Sequence, residues 1–268
     1  MTQRTMPTLT RLNLVALACG AGGAAAIAGL GASGVTVGLP AALFLALCAD
    51  GIARPGSSLA YPTVTHGPRD RNRVALTFDD GPDPEVTPLV LDALAKHDTR
   101  ATFFAIGQSL AAHRQLARDI AAAGHELGNH SWRHSRFQPF FSVADQEGEI
   151  ERGARAIAAV TGSRTAPLYR SPLGMKSPPM ARAAGRMRLT LVAWSLHSHD
   201  SRNSDPDQIA ARVLSRIRPG DIVLMHDGHD LPGRHRLGAA RALPRILRGL
   251  RERALQAVTV SDLLRSPN

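Results

Sequence analysis

The sequence predicts an α/β domain in which parallel strands alternate with helices, preceded by an N-terminal membrane segment. Three observations predict it. Seven short β-prone runs, 73–79, 101–106, 125–129, 167–170, 189–196, 221–226 and 257–260, are separated by stretches of helical periodicity. The residues able to do chemistry cluster directly after these runs, where open parallel sheets and barrels alike place their sites. No charged residue occurs between Arg11 and Asp50, in a segment dense in Ala, Gly, Leu and Val.

With 268 residues and 44% hydrophobic content, the chain holds one large domain or two small ones with an ordinary core. Its net charge of +10 comes almost entirely from scattered arginines, since only Lys96 and Lys176 are lysines. Aromatics are 4% and form no ladder with basic residues, which argues against nucleic acid as a partner and leaves an anionic lipid surface open. Protein partners leave no signal. Both cysteines, Cys19 and Cys48, lie in the apolar stretch, so any metal in the rest of the chain must be held by His, Asp or Glu.

The apolar segment, residues 12–49, has the length of one membrane span or of a two-span hairpin turning near Ala32-Ser33-Gly34. It is longer than a signal-peptide core of about 7 to 15 residues. Arg4 and Arg11 precede it, and Arg54, Arg69, Arg71 and Arg73 follow. Arginine on both flanks favours a hairpin with both ends cytoplasmic, whereas a single span puts the domain outside. The expected organisation is a tail (1–11), a transmembrane segment (12–49), a linker rich in Pro, Gly, Ser and Arg (50–72) and a catalytic domain (73–264) held at the cell's inner membrane.

In the first run Val74, Leu76 and Phe78 alternate with Arg73, Ala75 and Thr77, and the run ends in Asp79-Asp80-Gly81-Pro82. Adjacent carboxylates near an interior need a cation, or one of them takes up a proton. The helices follow in order: 88–97, with Thr87 as cap and Pro88 at the first helical position; 108–123, ending at Gly124; one capped by Ser142 and Asp145 and running to about 160; and one opened by Asp205-Pro206. Leu237, Ala240, Leu243, Ile246, Leu247 and Leu250 form a helical stripe of core residues, which Pro244 is expected to kink or restart.

The third run is followed by His130-Ser131-Trp132-Arg133-His134. Histidines four apart share a face if the segment is helical, and their imidazoles can meet one divalent ion. Chance alone supplies about 0.5 such pairs in this composition. The weight lies in their position after a strand, as with Asp79-Asp80. Arg170-Ser171-Pro172-Leu173-Gly174 follows the fourth run, where an arginine can hold Asp79 ionised. The fifth run leads into Trp194-Ser195-Leu196-His197-Ser198-His199-Asp200, and the sixth into Leu224-Met225-His226-Asp227-Gly228. A histidine closing an apolar strand suits proton transfer, and Asp200 nearby raises its pKa.

These blocks resemble the NodB-homology polysaccharide deacetylases, carbohydrate esterase family four. The resemblance covers residues 73 to about 264 and rests on Thr77-Phe78-Asp79-Asp80-Gly81, His130-Ser131-x-x-His134, Arg170-x-Pro172, Asp200 following Trp194, and Leu224-x-His226. It implies a distorted (β/α)7 barrel and a metal-dependent hydrolase that removes acetyl groups from N-acetylated amino sugars of a glycan or glycolipid. It also implies roles: Asp79 as general base; Asp80, His130 and His134 as ligands of a divalent ion, usually Zn2+ with Co2+ or others able to serve; Arg170 positioning Asp79; the backbone N–H of Leu173 at the oxyanion; and His226, tuned by Asp200, as general acid. Two positions depart from the family pattern. Leu173 replaces a tyrosine, and Ser201 stands where a tryptophan normally walls the sugar site. An O-acetyl esterase, or a silent membrane-tethered glycan-binding protein on the same fold, are the rival readings; loss of a ligand or of the base would mark the latter, and none is lost.

Overall fold

The computed structural model describes residues 61–162, 168–229 and 236–265, with scattered positions between 42 and 58. Its strands are β1 (Thr63–Val64), β2 (Arg73–Asp79), β3 (Thr102–Ala105), β4 (Glu126–Asn129), β5 (Leu168–Tyr169), β6 (Thr190–Val192), β7 (Leu196–His197), β8 (Ile222–His226) and β9 (Gln256–Val258). The helices are α1 (Thr87–Lys96), α2 (Gly107–Ala112), α3 (Arg114–Ala122), α4 (Val143–Thr161), α5 (Pro178–Arg186), α6 (Pro206–Arg216), α7 (Leu237–Glu252) and α8 (Val260–Leu264). The strands pair in parallel in the order β1-β6-β5-β4-β3-β2-β8-β7, and β9 adds to the beginning of β2.

The sheet is curled. β6 and β7 lie towards opposite ends of the strand order, yet the four steps from Val192 to Leu196 reach at most about 14 Å. The edges must therefore approach one another in a half-barrel. On one side of the seam the Ala193 N–H bonds the Val64 carbonyl of β1 at 2.7 Å, and on the other the Ser195 N–H bonds the Ile222 carbonyl of β8 at 3.1 Å. The run 189–196, expected as one strand, is thus the end of one edge and the start of the other.

Alternation along β2 divides its side chains. Val74, Leu76 and Phe78 join the main core with Leu94, Ile120, Leu243 and Ile246 from the surrounding helices. Ala75 packs inside the curl with Phe104, Val192 and Ile222, while Thr77 and Asp79 reach the buried Arg170. The strand is buried on both faces, so its last inward residue carries its charge into the interior.

Several expected elements differ. Part of the presumed linker 50–72 is β1, whose two residues cover the outer edge of β6; so short a strand has no periodicity to read. Residues 108–123 are two helices, broken at His113 (φ −118°, ψ 53°). Thr87 is not a cap, because Val86 precedes the helix and the Thr87 hydroxyl is used elsewhere. Helix α7 continues through Pro244, with Leu243, Ile246, Leu247 and Leu250 buried along it. Helix α5 was not expected; Ser177 caps it and Pro178 opens it. The Ser142 and Asp205 caps are formed as expected, accepting from Asp145 N–H at 3.2 Å and Asp207 N–H at 2.9 Å. The apolar segment 12–49 lies, apart from isolated positions, outside the described residues, and no described helix is long and apolar enough to cross a membrane.

Candidate active site

Every site residue expected from the sequence lies at the C-terminal end of the sheet, at or just beneath one pocket. Asp79, Asp80, His130, His134, Leu173 and His226 line it, with Trp194, His197 and Ser201 on its walls. Arg170 and Asp200 lie behind these residues.

Arg170 is almost fully buried and fills the barrel interior beneath the pocket. Its guanidinium donates to Asp79 Oδ1 at 2.6 Å and Thr77 Oγ1 at 2.8 Å, and to the carbonyls of Val192 at 3.3 Å and Ala193 at 3.0 Å. The Phe104 ring stacks beneath it, 4.0 Å from the guanidinium carbon. A charge so deep is tolerated only because it is paired and its donors are used. The arrangement fixes one Asp79 oxygen and leaves Oδ2 turned toward His130 Nε2, 3.7 Å away.

Asp80 leaves the strand with φ 74°, which turns its side chain away from the barrel interior. Its Oδ1 lies 3.5 Å from His130 Nε2 and 3.4 Å from His134 Nε2, and the three ligand atoms all fall within 4.8 Å of one another. The histidines do not share a helix face, contrary to the sequence expectation. Residues 130–134 form a loop with positive φ at Ser131 (67°) and His134 (52°), and the Ser131 and Asn129 side chains satisfy its backbone. Glu149 of α4 secures it from outside by accepting from the Arg133 side chain at 2.8 Å and the Arg133 N–H at 3.0 Å. The His130 Nδ1 faces the Arg170 carbonyl at 2.8 Å; a carbonyl only accepts, so Nδ1 carries a proton, which leaves Nε2 as the ring atom turned toward Asp80 and available to an ion once deprotonated. One carboxylate and two imidazoles, buried and convergent, are a donor set that fits a divalent ion with open positions. Burial alone would raise the Asp80 pKa, but the bond from His130 and the charges of His134 and His226 outweigh it and hold the carboxyl below its ordinary range.

On the opposite wall His226 Nδ1 meets Asp200 Oδ1 at 3.0 Å and its backbone N–H bonds Asp200 Oδ2 at 2.9 Å. Ser198 Oγ holds the same carboxylate at 2.6 Å. Burial opposes a charged imidazole, yet the Asp200 carboxylate, aided by Asp80 and Asp79, pushes His226 up to about 9. His197 lines the pocket, and burial together with the His226 charge lowers it to about 4. His199 is the solvated one, accepting from Arg212 at 3.0 Å. Leu173 stands half-exposed at the mouth with φ 57°, in the turn Pro172–Gly174. Ser201 and Trp194 both line the pocket, and the indole comes from Trp194.

Two residues that sequence reasoning missed join the site. Arg236 donates to Asp80 Oδ2 at 2.8 Å, so that the oxygen facing away from the histidines is held by a guanidinium. Asp227 is buried under the Asp79-Asp80 tip. Its Oδ2 accepts from the Thr87 hydroxyl at 2.6 Å, Thr87 in turn accepts from the Asp83 N–H at 2.8 Å, and Asp227 Oδ1 has no hydrogen-bond partner among the described residues. A Cβ at Gly81 would come 2.2 Å from this carboxylate, which is why the tip needs glycine. Burial, then the charges of Asp80 and Asp79, push Asp227 up to about 7, against the Thr87 bond. A carboxyl raised on folding leaves stability unaffected below its unfolded pKa near 3.8 and erodes it as pH rises to about 7. Asp227→Asn is expected to stabilise the metal-free protein by a few kcal/mol at pH 8 and by little at pH 4. Urea midpoints at the two pH values check this, and an equal change at both would remove the buried-carboxylate account.

The sequence profile of the polysaccharide deacetylases matches residues 66–192. A peptidoglycan-N-acetylglucosamine deacetylase of Bacillus cereus is 34% identical over 200 residues, covering 74% of this chain and 91% of the relative. The chain belongs to the polysaccharide deacetylase family. As a member it is a hydrolase of the carbohydrate deacetylase class. A chitooligosaccharide deacetylase of Bradyrhizobium sp. (strain ANU 289) is 39% identical over 166 residues, 61% of this deacetylase and 74% of the relative. Among solved structures, a peptidoglycan N-acetylglucosamine deacetylase in complex with an N-hydroxybenzamide compound superposes with a TM-score of 0.71 at 29% identity, covering 76% of this chain and 94% of that one. A family 4 carbohydrate esterase pseudoenzyme from Bacillus anthracis superposes with a TM-score of 0.68 at 26% identity, covering 76% and 69%.

Proposed function

We propose that this deacetylase hydrolyses the acetamide of N-acetylated amino sugars in a polysaccharide or lipid-linked glycan, releasing acetate, and that its N-terminal segment holds it at the inner membrane. One observation carries the reading: an arginine-clamped carboxylate, Asp79, stands beside the Asp80-His130-His134 cluster and shares a pocket with the His226–Asp200 pair.

Asp80, His130 and His134 would hold a divalent ion, zinc by preference with cobalt able to serve; when bound it supplies Lewis-acid polarisation of the amide carbonyl and acidifies water. Asp79, fixed through Oδ1, takes the proton of the attacking water on Oδ2. The Leu173 backbone N–H, at the mouth, stabilises the developing oxyanion. His226 enters protonated and, with Asp200 holding Nδ1, gives its Nε2 proton to the departing amine. The same site would cleave an O-acetyl ester. The catalytically silent alternative has a structural neighbour in the pseudoenzyme, but here base, ligands and acid are all present and mutually hydrogen-bonded or in reach.

The direct test is acetate release by the full chain, loaded with zinc or cobalt and offered N-acetylglucosamine oligomers. Release that depends on the metal supports the proposal; zinc binding without release from these oligomers or from lipid-linked amino sugars rejects it.

Arg236 gives a second test. By holding Asp80 Oδ2 it leaves Oδ1 as the single oxygen facing the histidines, the outer-shell arrangement that orients a metal ligand. Arg236→Gln is expected to weaken zinc binding about 10- to 100-fold, with the protein still folded by circular dichroism at the temperature of the titration. Competition against a fluorescent chelator measures it, and wild-type affinity in the variant would strip Arg236 of this role.

A further inference from the structure

We propose that the pocket mouth of this deacetylase is seated against an anionic bilayer surface, with Phe137 and Phe140 in the lipid interface, so that its substrate is a sugar headgroup presented at the membrane. The inference rests on the proposed anchoring by residues 12–49 and deepens it. Three independent features of the fold point the same way.

The first is where the N-terminal chain joins the domain. Lys176 Nζ donates to the Pro55 carbonyl at 2.7 Å and to the Ser57 carbonyl, and a Cβ at Gly174 (φ 68°) would lie 2.7 Å from the Pro55 ring and 2.7 Å from Trp194. Leu173, Gly174 and Trp194 line the pocket. The incoming segment is thus fastened to the pocket's rim and not to the far end of the barrel. From residue 49, where the uncharged stretch ends, to Pro55 the chain reaches at most about 21 Å. A domain of this size is about 40 Å across. So short a tether cannot let the mouth turn away from the membrane that holds its other end.

The second is the placement of exposed apolar side chains. Among the described residues of the domain these are Leu89, Phe137, Phe140 and Leu173. Leu89 is in the first turn of α1, directly after β2; Phe137 and Phe140 follow β4 and Leu173 follows β5. All four therefore leave the C-terminal edge of the sheet, where the pocket opens. Phe137 is 73% and Phe140 82% exposed in a chain with only seven phenylalanines, and Gln138 between them is buried, bonded to Tyr169 at 2.8 Å. The loop is anchored from within and holds two rings out from the surface. Aromatic side chains in such a setting belong to the headgroup level of a bilayer.

The third is charge. Arg136, adjacent to Phe137, lines the pocket together with Arg202. Arginine beside exposed aromatic rings fits an anionic lipid surface, which attracts basic residues held close to it.

The test uses the full chain with Cys19→Ser and Cys48→Ser, reconstituted in phosphatidylglycerol-containing vesicles. A nitrobenzoxadiazole probe is attached at Phe137→Cys, Phe140→Cys or, as reference, Glu252→Cys at the opposite end of the barrel. At 137 and 140 the expected result is at least a twofold loss of emission with nitroxide-labelled lipids and little with aqueous iodide; at 252 the pattern reverses. A protein that floats with the vesicles while its 137 and 140 probes remain open to iodide keeps the anchor and overturns the orientation. The same holds if those probes respond only to N-acetylglucosamine oligomers, which would make the rings a sugar platform, or are shielded from both quenchers, which would place a second copy there. A protein that does not float removes the anchoring reading and the proposal with it.

Discussion

Asp79→Asn is expected to lower acetate release about 10²- to 10⁴-fold, the contribution of a positioned base, while zinc affinity changes far less. The geometry explains the separation. Asp79 Oδ1 is committed to Arg170 at 2.6 Å and belongs to the frame of the site, whereas Oδ2 faces the cluster and has no comparable bond. Asparagine can still accept from Arg170 through its amide oxygen, so the buried guanidinium keeps a partner and the barrel interior keeps its packing. What it cannot do is take a proton. Asp80, His130 and His134 are untouched, so the donor set for the ion persists. Acetate release from N-acetylglucosamine oligomers, measured beside zinc titration of the same preparation, gives both numbers. Full activity in the variant would remove Asp79 from the mechanism and turn attention to other groups lining the pocket, such as His197. A parallel loss of zinc binding and turnover would make Asp79 a ligand and not a base.

The parts of this site that were legible from sequence are those written locally. The 73–79 run shows strand alternation, its apolar residues do face the helices, and its last inward position does carry Asp79. His130 and His134 could be paired by spacing, although the spacing suggested a helix and the fold delivers the pair through a loop with left-handed residues, a conformation that no periodicity encodes. Arg236 was illegible for a different reason. It is one arginine among many, and its partner Asp80 lies 156 residues earlier. Asp227 looked like an ordinary turn residue after His226, and only the tertiary fold brings it beneath Gly81. The seam at 193–195 was hidden because a continuous β-prone run does not announce that its two ends serve opposite edges of a curled sheet.

Proton delivery gives the other large effect, and its pH dependence discriminates more sharply than its size. His226→Gln is expected to cost about 10²- to 10⁴-fold in turnover by removing the general acid. Asp200→Asn keeps the imidazole and changes when it is charged. In the metal-free protein the Asp200 carboxylate is the main opponent of burial and brings His226 up to about 9. Remove that charge and desolvation dominates, which lowers the pKa by about 2 units or more. An acid must be protonated to act, so the alkaline limb of kcat should move down by a similar amount. At pH 8 the protonated fraction would then fall roughly tenfold or more, while near pH 6 the variant should lose much less. A bound divalent ion opposes the Asp80 and Asp79 contributions, so in the loaded enzyme the wild-type limb lies at or below 9. Stability should carry the same signature. A histidine raised on folding stabilises fully below its unfolded pKa near 6.5 and loses that contribution as pH rises through about 9. The wild type should therefore weaken across this window, and Asp200→Asn should not. A kcat profile whose alkaline limb is unmoved in Asp200→Asn, with activity merely scaled down at every pH, would make Asp200 a structural support and dissociate His226 from proton transfer to the amine.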